Sequence, residues 1–447
     1  MEQKTIYALS TVYGKSGVAV IRVSGTKAVD VFKYMTNIDT VYLKSRYVYY
    51  TDLKNIDKTQ TLDKALIIYF KAPHSFTGED IVEIHTHGSK AVLSSVLDTL
   101  SLIPDFRLAE PGEYSKRAFY NNKMDLTEAE GLADLIDAET SEQQKYAIRQ
   151  MEGSLKNLYE GWREDLLKVY AYIEAYIDFP DEELPESIKE SINNSVFKLI
   201  KEIDKHLNNS KNSERLRDGF RVVIAGPANA GKSSLINAIV KRNAVIVSDI
   251  AGTTRDAIDL SLDINGFPVI FTDTAGIRKT EDVIEKQGVE IAFEKIKQAD
   301  LVLALFDATK DDITIFNDIK KESEINMLYI ANKSDNLTFE QCSYFENMGC
   351  LLISAKFNKG VDELLNKIND EVSKSFSSGS GALITRKRYR EALLECLDNL
   401  NNFNLDKEIE LSAEDIRLAS RALGKITGRY EINEILDKIF GSFCIGK

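Results

Sequence analysis

The sequence predicts a multidomain protein of mixed class, with α/β parts and an all-helical part. Its first 118 residues alternate short strand patterns with helical periodicity, which indicates an α+β domain. Amphipathic helical patterns run from about 126 to 210 and return after 385. Between them, strands and helices alternate over 212–375, as in a doubly wound sheet. We therefore expect an α/β domain inserted into a helical domain, preceded by an α+β domain.

The composition is typical of a globular protein in a reducing compartment. Of the 447 residues, 43% are apolar, and no segment approaches the roughly 20 apolar residues that cross a bilayer. The N-terminus lacks the layout of a secretory signal, and the cysteines at 342, 350, 396 and 444 show no metal or disulfide spacing. We expect a cytoplasmic protein with no membrane segment. The formal net charge of −13 argues against strong autonomous nucleic-acid binding, so a local basic patch or a partner would hold any nucleic acid.

The N-terminal domain is predicted over residues 1–118. Strand patterns cover 17–23, 65–70 and 82–87, and a helical pattern covers 89–103. The tract 111–126 mixes turn residues with the basic residues Lys116, Arg117 and Lys123. The strand 82–87 alternates with period two, which puts Glu83, His85 and His87 on one face. Two histidines without a third ligand do not make a zinc site. From the pattern alone, Glu83 is an ordinary solvent-facing residue.

The helical domain is predicted in two segments, 119–210 and 382–447, on either side of the α/β domain at 212–375. Strand patterns in the α/β domain cover 221–225, 257–264, 268–272, 301–306, 327–331 and 350–354, and Asn265-Gly266 between two of them indicates a hairpin. The polar tract 373–381 (SKSFSSGSG) is typical of a linker between the α/β domain and the second helical segment.

A phosphate-binding loop lies near the start of the α/β domain. The stretch Arg221–Ser234 places a G-x-x-x-x-G-K-S motif between a buried strand and a helix. Its glycines let backbone N–H groups wrap the phosphates, and the helix N-terminus adds partial positive charge. Lys232 is predicted to reach the β- and γ-phosphates, and the Ser233 hydroxyl to bind Mg²⁺. The predicted GTP contacts of this loop are Asn229, Ala230, Gly231, Lys232, Ser233 and Ser234.

Four further blocks follow at the spacing of a guanine-nucleotide switch protein. They are Gly252–Asp256 (GTTRD), Asp273–Gly276 (DTAG), Asn332–Asp335 (NKSD) and Ser354–Lys356 (SAK). The last three come at strand ends, where α/β sheets bind ligands. Five blocks in this order predict a Ras-like P-loop GTPase domain.

The GTTRD and DTAG blocks are predicted to sense the γ-phosphate. The Asp273 carboxylate would hold Mg²⁺ through a water molecule, and the Gly276 N–H would face the γ-phosphate, with Thr274 and Ala275 between them. The Thr254 hydroxyl would complete the Mg²⁺ shell when the triphosphate is bound.

The last two blocks are predicted to select guanine. The Asp335 carboxylate accepts hydrogen bonds from guanine N1–H and from its exocyclic amine, whereas adenine reverses this donor pattern. The other residues predicted to frame the base are Asn332, Lys333, Ser354, Ala355 and Lys356.

The group that orients the attacking water is left open by the residue pattern. The glutamine that follows the DTAG glycine in small signalling GTPases is replaced here by Ile277, which offers no polar group. Glu281, Asp282 and Glu285 are the nearest acidic candidates, and position alone does not choose among them. Asn229 either binds a monovalent cation lying across the phosphates or caps its own loop.

The whole chain resembles the MnmE (TrmE) family of bacterial tRNA-modifying GTPases. Outside the GTPase blocks, the resemblance is carried by Ile21–Gly25 (IRVSG), Ser75–Asp80 (SFTGED), Pro111–Glu113 (PGE), Lys116–Phe119 (KRAF) and Phe443–Lys447 (FCIGK).

This resemblance implies a GTPase that is activated by potassium and by dimerisation of its GTPase module. Glu285 matches the acidic residue that positions the water, and Arg278 lies in the same switch. Asn229 matches the potassium ligand. The loop that wraps the ion and contacts GTP comprises Ser248, Asp249, Ile250, Ala251, Gly252, Thr253 and Thr254, of which Ser248, Ile250 and Thr253 are implied potassium ligands.

The resemblance also implies a folate site in a dimerising N-terminal domain. The ligand would be 5-formyl- or 5,10-methylene-tetrahydrofolate. Arg22, Glu83 and Lys123 match folate-contacting positions, and Lys447 approaches from the C-terminus. A carboxylate pairs with the pterin amino group and ring N–H, and cationic side chains suit the glutamyl tail.

The implied partner is MnmG, a flavoprotein that binds FAD and NADH and assembles with the homodimer into a heterotetramer. Together they would install an aminomethyl or carboxymethylaminomethyl group at C5 of the wobble uridine U34 of tRNA. Cys444 is the family's candidate reactive thiol, although taken alone it is simply an exposed sulfur.

Two other hypotheses compete with this one. A ribosome-assembly GTPase of the Era or Der kind shares the phosphate loop and the DTAG block, but it carries a KH-like RNA-binding domain after the GTPase module. Here that region is helical and has no G-x-x-G clamp in a basic setting. A regulatory switch without its own chemistry would hydrolyse GTP slowly and retain the nucleotide.

Overall fold

The structure is a computed structural model that describes residues 4–178, 185–210, 213–242, 259–273, 294–310, 313–316, 326–376, 382–430 and 433–446. The chain forms two compact units. The first comprises 1–133, 159–163 and 421–447, and the second comprises 134–158 and 164–420.

The strands of the described residues, in chain order, are β1 Thr5–Leu9, β2 Ser16–Ser24, β3 Val48–Lys54, β4 Thr61–Phe70, β5 Ile81–Gly88, β6 Phe106–Leu108, β7 Phe220–Ala225, β8 Asp259–Ile264, β9 Phe267–Asp273, β10 Leu301–Asp307, β11 Met327–Asn332 and β12 Leu351–Leu352.

The α-helices of the described residues are α1 Asp30–Met35, α2 Lys90–Ser101, α3 Glu113–Tyr120, α4 Leu126–Ile136, α5 Ser141–Met151, α6 Ser154–Asp178, α7 Glu186–Asn209, α8 Glu214–Asp218, α9 Lys232–Val240, α10 Phe339–Asn347, α11 Val361–Phe376, α12 Lys387–Asn402, α13 Ile409–Thr427 and α14 Asn433–Gly441.

The first unit is built on a sheet in the order β3-β4-β5-β2-β1-β6. Its pairs are antiparallel except β1–β6, which is parallel. On β5 the predicted alternation is confirmed, because Val82 and Ile84 are fully buried whereas Glu83 and His85 face the open side. Helix α2 packs on β4, β5 and β6 through an apolar face. The predicted strands and helix of this domain are therefore present, but the strands β1, β3 and β6 and the short helix α1 were missed.

The tract 111–126 forms a helix where the sequence predicted only turn residues and basic side chains. Helix α3 begins after Gly112 and buries the charged residues Glu113 and Arg117, the latter being 3% exposed. The Arg117 guanidinium donates to Glu79 at 3.0 Å and to Glu113 at 2.9 Å, so its charge is compensated inside the protein. This pairing is what allows so polar a helix to be buried.

The second unit contains the α/β domain. Its sheet has the order β12-β11-β10-β7-β9-β8 and is parallel except for β8, which pairs antiparallel with β9. The predicted Asn265-Gly266 hairpin joins these two strands, and both residues have positive φ (50° and 90°). The predicted strand at 350–354 is shorter, spanning only Leu351–Leu352. The doubly wound fold is confirmed.

Helical segments of the second unit contact one another across a long sequence separation. Helix α12 packs on α7, and the Tyr146 hydroxyl donates to the Leu383 carbonyl at 2.9 Å. The Arg390 guanidinium donates to the Ser210 carbonyl at 3.0 Å. These contacts are those expected of a helical domain assembled from two segments, while the predicted boundaries of the individual domains stay a prediction.

Candidate functional site

The phosphate-loop motif leads from β7 into α9 with a backbone that requires glycine. A Cβ at Gly226 would lie 2.0 Å from the Leu305 carbonyl oxygen on the neighbouring strand. Asn229 has a φ of 66° and Gly231 a φ of 101°, both left-handed. The loop therefore bends tightly over the end of β7 before the helix begins at Lys232.

Lys232 and Asp273 are the charged side chains next to this loop. The Lys232 ammonium donates to the carbonyl oxygens of Gly226 at 2.9 Å and Pro227 at 3.1 Å. Burial lowers the pKa of Lys232, an effect that the Asp273 charge opposes. Asp273, at the end of β9, has its pKa raised by burial and lowered in part by Lys232. Within the described residues, its Oδ1 atom is buried and accepts no hydrogen bond.

Asn332 ties the phosphate loop to the block that contains Ser354. Its side-chain Nδ2 donates to the Ala230 carbonyl at 2.7 Å, and its Oδ1 accepts from the Ala355 backbone N–H at 3.1 Å. Asn332 is 3% exposed, so these hydrogen bonds lie in a desolvated setting. One buried amide therefore connects three of the predicted blocks.

Asp335 lies next to Ser354 in the structure. The Ser354 hydroxyl donates to Asp335 Oδ1 at 2.5 Å, and the Ser334 N–H donates to the Ile353 carbonyl at 3.0 Å. The Lys356 ammonium lies 5.1 Å from the centroid of the Phe357 ring. The structure thus brings the NKSD and SAK blocks together at one edge of the sheet.

Asp307 is a buried carboxylate of this edge that the sequence reasoning did not select. It ends β10, and its Oδ2 accepts from the Lys333 ammonium at 2.5 Å. Its Oδ1 accepts from the hydroxyl of Thr309 at 2.6 Å. The signal that would have found it is its position, since it is a charged residue directly after six apolar strand residues.

Two of the residues predicted to bind folate, Arg22 and Glu83, contact each other in the first unit. Arg22 Nη2 donates to Glu83 Oε1 at 2.8 Å, and the His85 ring nitrogen lies 3.4 Å from Glu83 Oε2. The Arg22 guanidinium also lies 5.3 Å from the centroid of the Phe76 ring and 5.8 Å from that of Tyr114. A carboxylate, a guanidinium and aromatic rings therefore share this part of the sheet.

Lys123 and the C-terminal tail complete the described part of this region. A Cβ built on Gly78 would lie 3.2 Å from Lys123 Cε, so the lysine stem runs against that glycine. Cys444 is exposed, and its carbonyl accepts from the Gly112 N–H at 3.4 Å. The Ser10 hydroxyl donates to the Gly446 carbonyl at 3.1 Å, which ties the tail to the end of β1.

Sequence comparisons place the chain in a known group of proteins. A family model described as the MnmE helical domain matches residues 126–444, and one described as the GTP-binding protein TrmE N-terminus matches residues 5–123. The chain belongs to the MnmE family.

Relatives within the MnmE family match this chain from end to end. The tRNA modification GTPase MnmE of Rickettsia bellii (strain RML369-C) is 46% identical over 446 residues, covering 99% of this chain and 100% of the relative. That of Rickettsia prowazekii (strain Madrid E) has the same identity and coverage. Among solved structures, a variant of Era from Aquifex aeolicus bound to GDP·AlF4− is 25% identical, covers 40% of this chain and 66% of its own, and has a TM-score of 0.30.

Several residues that the motif blocks or the MnmE resemblance select lie outside the described residues. They are Ser248, Asp249, Ile250, Ala251, Gly252, Thr253, Thr254, Thr274, Ala275, Gly276, Arg278, Glu285 and Lys447. Among the helices that the structure describes, none is long and apolar enough to cross a membrane.

Proposed function

We propose that this chain is a potassium-activated GTPase that modifies the wobble uridine of tRNA together with the flavoprotein MnmG. The product is an aminomethyl or carboxymethylaminomethyl group at C5 of U34. The observation that carries the proposal is the convergence of the phosphate loop, Asn332 and the Asp335–Ser354 pair at one edge of the sheet. Membership of the MnmE family supports the tRNA substrate.

The phosphates of GTP are assigned to the loop between β7 and α9. Lys232 now donates to two loop carbonyls, and it would exchange these for phosphate oxygens when the nucleotide binds. Ser234 follows Ser233 into the first turn of α9, whose N-terminus favours negative charge.

Magnesium fits the donors near the end of β9. Ser233 would supply a hydroxyl, and Asp273 would act through a water molecule, for which its buried carboxylate oxygen, accepting no hydrogen bond in the described residues, is available. Mg²⁺ prefers such oxygen ligands and would offset the negative charge that develops on the phosphates. Thr254 is proposed as the further hydroxyl ligand.

Asp335 is assigned to guanine. Its Oδ1 already accepts from Ser354, which fixes the plane of the carboxylate. Both of its oxygens have lone pairs left for the two adjacent N–H donors of guanine. The rest of the proposed pocket is formed by residues near Asp335 and Ser354 in the sequence, which are Asn332, Lys333, Ala355 and Lys356.

Hydrolysis is assigned to Glu285, which would orient the attacking water, with Arg278 in the same segment. Potassium would be held by Asn229 together with Ser248, Ile250 and Thr253, and would stabilise the charge that develops on the phosphates. The left-handed backbone of Asn229, with a φ of 66°, supports a special role for this loop residue. Dimerisation of the GTPase modules would complete the site.

The first unit is assigned a 5-formyl- or 5,10-methylene-tetrahydrofolate ligand. Glu83 offers a partly buried carboxylate for the pterin donors, and Arg22 and Lys123 offer positive charge for the glutamyl tail. Lys447 would approach from the tail, and Cys444 is the proposed reactive thiol. We also assign this unit to the homodimer contact and place the protein in the cytoplasm, where the four free cysteines stay reduced.

Nucleoside analysis of tRNA from cells that lack this chain tests the proposal. Modified U34 should disappear in these cells and return with the wild-type gene. Lys232→Ala should fail to restore it, whereas Lys241→Ala, an exposed lysine at the other end of α9, should succeed. Normal U34 modification with accumulated ribosomal precursors would instead favour the ribosome-assembly hypothesis.

A further inference from the structure

The proposed function gives no role to the ion pair between Asp307 and Lys333, which lies at the same edge of the sheet as the proposed nucleotide site. The Asp307 side chain is 5% exposed and that of Lys333 is 36% exposed, and their charged atoms are 2.5 Å apart. Asp307 Oδ1 accepts from the N–H of Thr309 at 3.1 Å and from its hydroxyl at 2.6 Å. The carboxylate thus has donors on both oxygens.

This environment keeps Asp307 ionised. Burial alone would raise its pKa, but the hydrogen bonds from Lys333 and Thr309 outweigh burial and lower the pKa overall. The carboxylate is therefore a fixed negative charge at neutral pH, available to hold the ammonium.

Lys333 stands between Asn332 and Asp335 with an unusual backbone. Its φ is 66° and its ψ 33°, a left-handed conformation that side-chain-bearing residues seldom adopt and that surrounding contacts must maintain. The ammonium is drawn back toward β10, so the four-carbon stem of Lys333 crosses from one strand end to the next. The next block along, Asp335 with Ser354, is the proposed guanine pocket.

The backbones of β10 and β11 do not need this ion pair to stay together. Asp307 and Asn332 are paired in the parallel ladder, and the Ala308 N–H donates to the Asn332 carbonyl at 3.1 Å. The side-chain contact therefore adds something that the ladder lacks, which is a fixed direction for the lysine stem.

We propose that Asp307 is a positioning residue for guanine-nucleotide binding, holding the Lys333 ammonium so that the lysine stem covers the base held by Asp335. This inference rests on the proposed function, because it requires a nucleotide at this edge. Asp307 slows the dissociation of the bound nucleotide, whereas Asp335 selects guanine over other bases.

A double-mutant cycle on GDP affinity tests the inference. Asp307→Ala in the full chain should weaken GDP binding about tenfold, through faster dissociation, because the lysine stem is released. Lys333→Met should weaken it by a similar factor. In the Lys333→Met background, Asp307→Ala should cause no further loss, since a residue that acts through Lys333 has nothing left to position.

Two further variants keep the test independent of folding. Asp307→Asn retains an acceptor for Thr309 and should weaken binding less than Asp307→Ala. Thr309→Val removes the hydroxyl on the opposite carboxylate oxygen but leaves the Lys333 contact in place, so it should weaken GDP binding less than Asp307→Ala. The preference for guanine over xanthine should stay unchanged in all of them.

Additive losses from Asp307→Ala and Lys333→Met would overturn the inference, because a merely structural carboxylate would act regardless of the lysine. Unchanged GDP affinity in both Asp307 variants would overturn it as well. Failure of the wild-type chain to bind GDP would instead contradict the proposed function, so the two failures are distinct.

Discussion

Gly231→Ala should damage the nucleotide site through one identified collision. The added Cβ would lie 2.2 Å from Asn332 Nδ2. Asn332 is held on both sides, by the Ala230 carbonyl at 2.7 Å and the Ala355 N–H at 3.1 Å, so it moves only by losing buried hydrogen bonds. That loss costs about 1–3 kcal/mol. The left-handed backbone at a φ of 101° adds about 1–2 kcal/mol for alanine.

Gly349→Ala is the matched control. Gly349 has a φ of 77°, and its added Cβ would meet nothing within 4 Å, so only the backbone cost of about 1–2 kcal/mol applies. Urea denaturation followed by circular dichroism should therefore show a larger loss for Gly231→Ala than for Gly349→Ala. Titration with a fluorescent GDP analogue should show at least a tenfold weaker affinity for Gly231→Ala alone. Equal losses in the two variants would refute the role given to Asn332.

Three further predictions concern the cation, the base and pH. Replacing sodium by potassium should raise the rate of phosphate release from GTP severalfold, and Asn229→Ala should abolish this difference; equal rates in both salts for the wild type would remove the potassium role. Asp335→Asn should shift the preference from GTP toward XTP by about two orders of magnitude, because xanthine keeps the N1–H donor but carries a carbonyl in place of the exocyclic amine, to which the asparagine N–H can donate. Competition binding measures this shift. Burial lowers the pKa of His206 from 6.5 to about 4, so the unfolded chain binds the extra proton first and the stabilising contribution is lost as pH falls from about 6.5 toward 4. Urea titrations at pH 7.5 and 4.5 should therefore show an acid-side loss on the order of 2 kcal/mol that is absent in His206→Gln.

The fold of the α/β domain was predictable because the helical and the strand periodicities are both clear in its sequence. Most of its strands also consist mainly of apolar residues. Strand β10, for example, is buried along its whole length, and such a run suits a parallel strand covered on both faces. In contrast, β12 is predicted too long, since only Leu351 and Leu352 pair with β11. An apolar sequence shows that a segment is buried, but it does not show how far the neighbouring strand extends.

Helix α3 was missed for a different physical reason. Its buried face includes Glu113, Ser115 and Arg117 beside Tyr114 and Ala118, so polar and charged side chains interrupt the apolar stripe that a periodicity argument detects. The burial depends on partners far along the chain, among them Glu79 and the Lys4 carbonyl, which accepts from Arg117 at 2.9 Å. Charges that are neutralised only by tertiary pairing are not visible in a local pattern.

The polar residues at the edge of the sheet that carries the proposed nucleotide site follow a simpler rule than the motifs do. Strands β9, β10 and β11 end in Asp273, Asp307 and Asn332, and Ser354 follows β12. Because these strands are parallel, their polar ends meet at the same edge, which is where α/β sheets bind ligands. The motif argument selected three of these residues by their tetrapeptides and passed over Asp307, which belongs to no tetrapeptide. A search for the first polar residue after each apolar run would have selected Asp307, Asn332 and Ser354, and on β9 it would have stopped at Thr272, directly before Asp273. The hydrogen bond between Asp307 and Lys333 gives Asp307 a partner inside a recognised block.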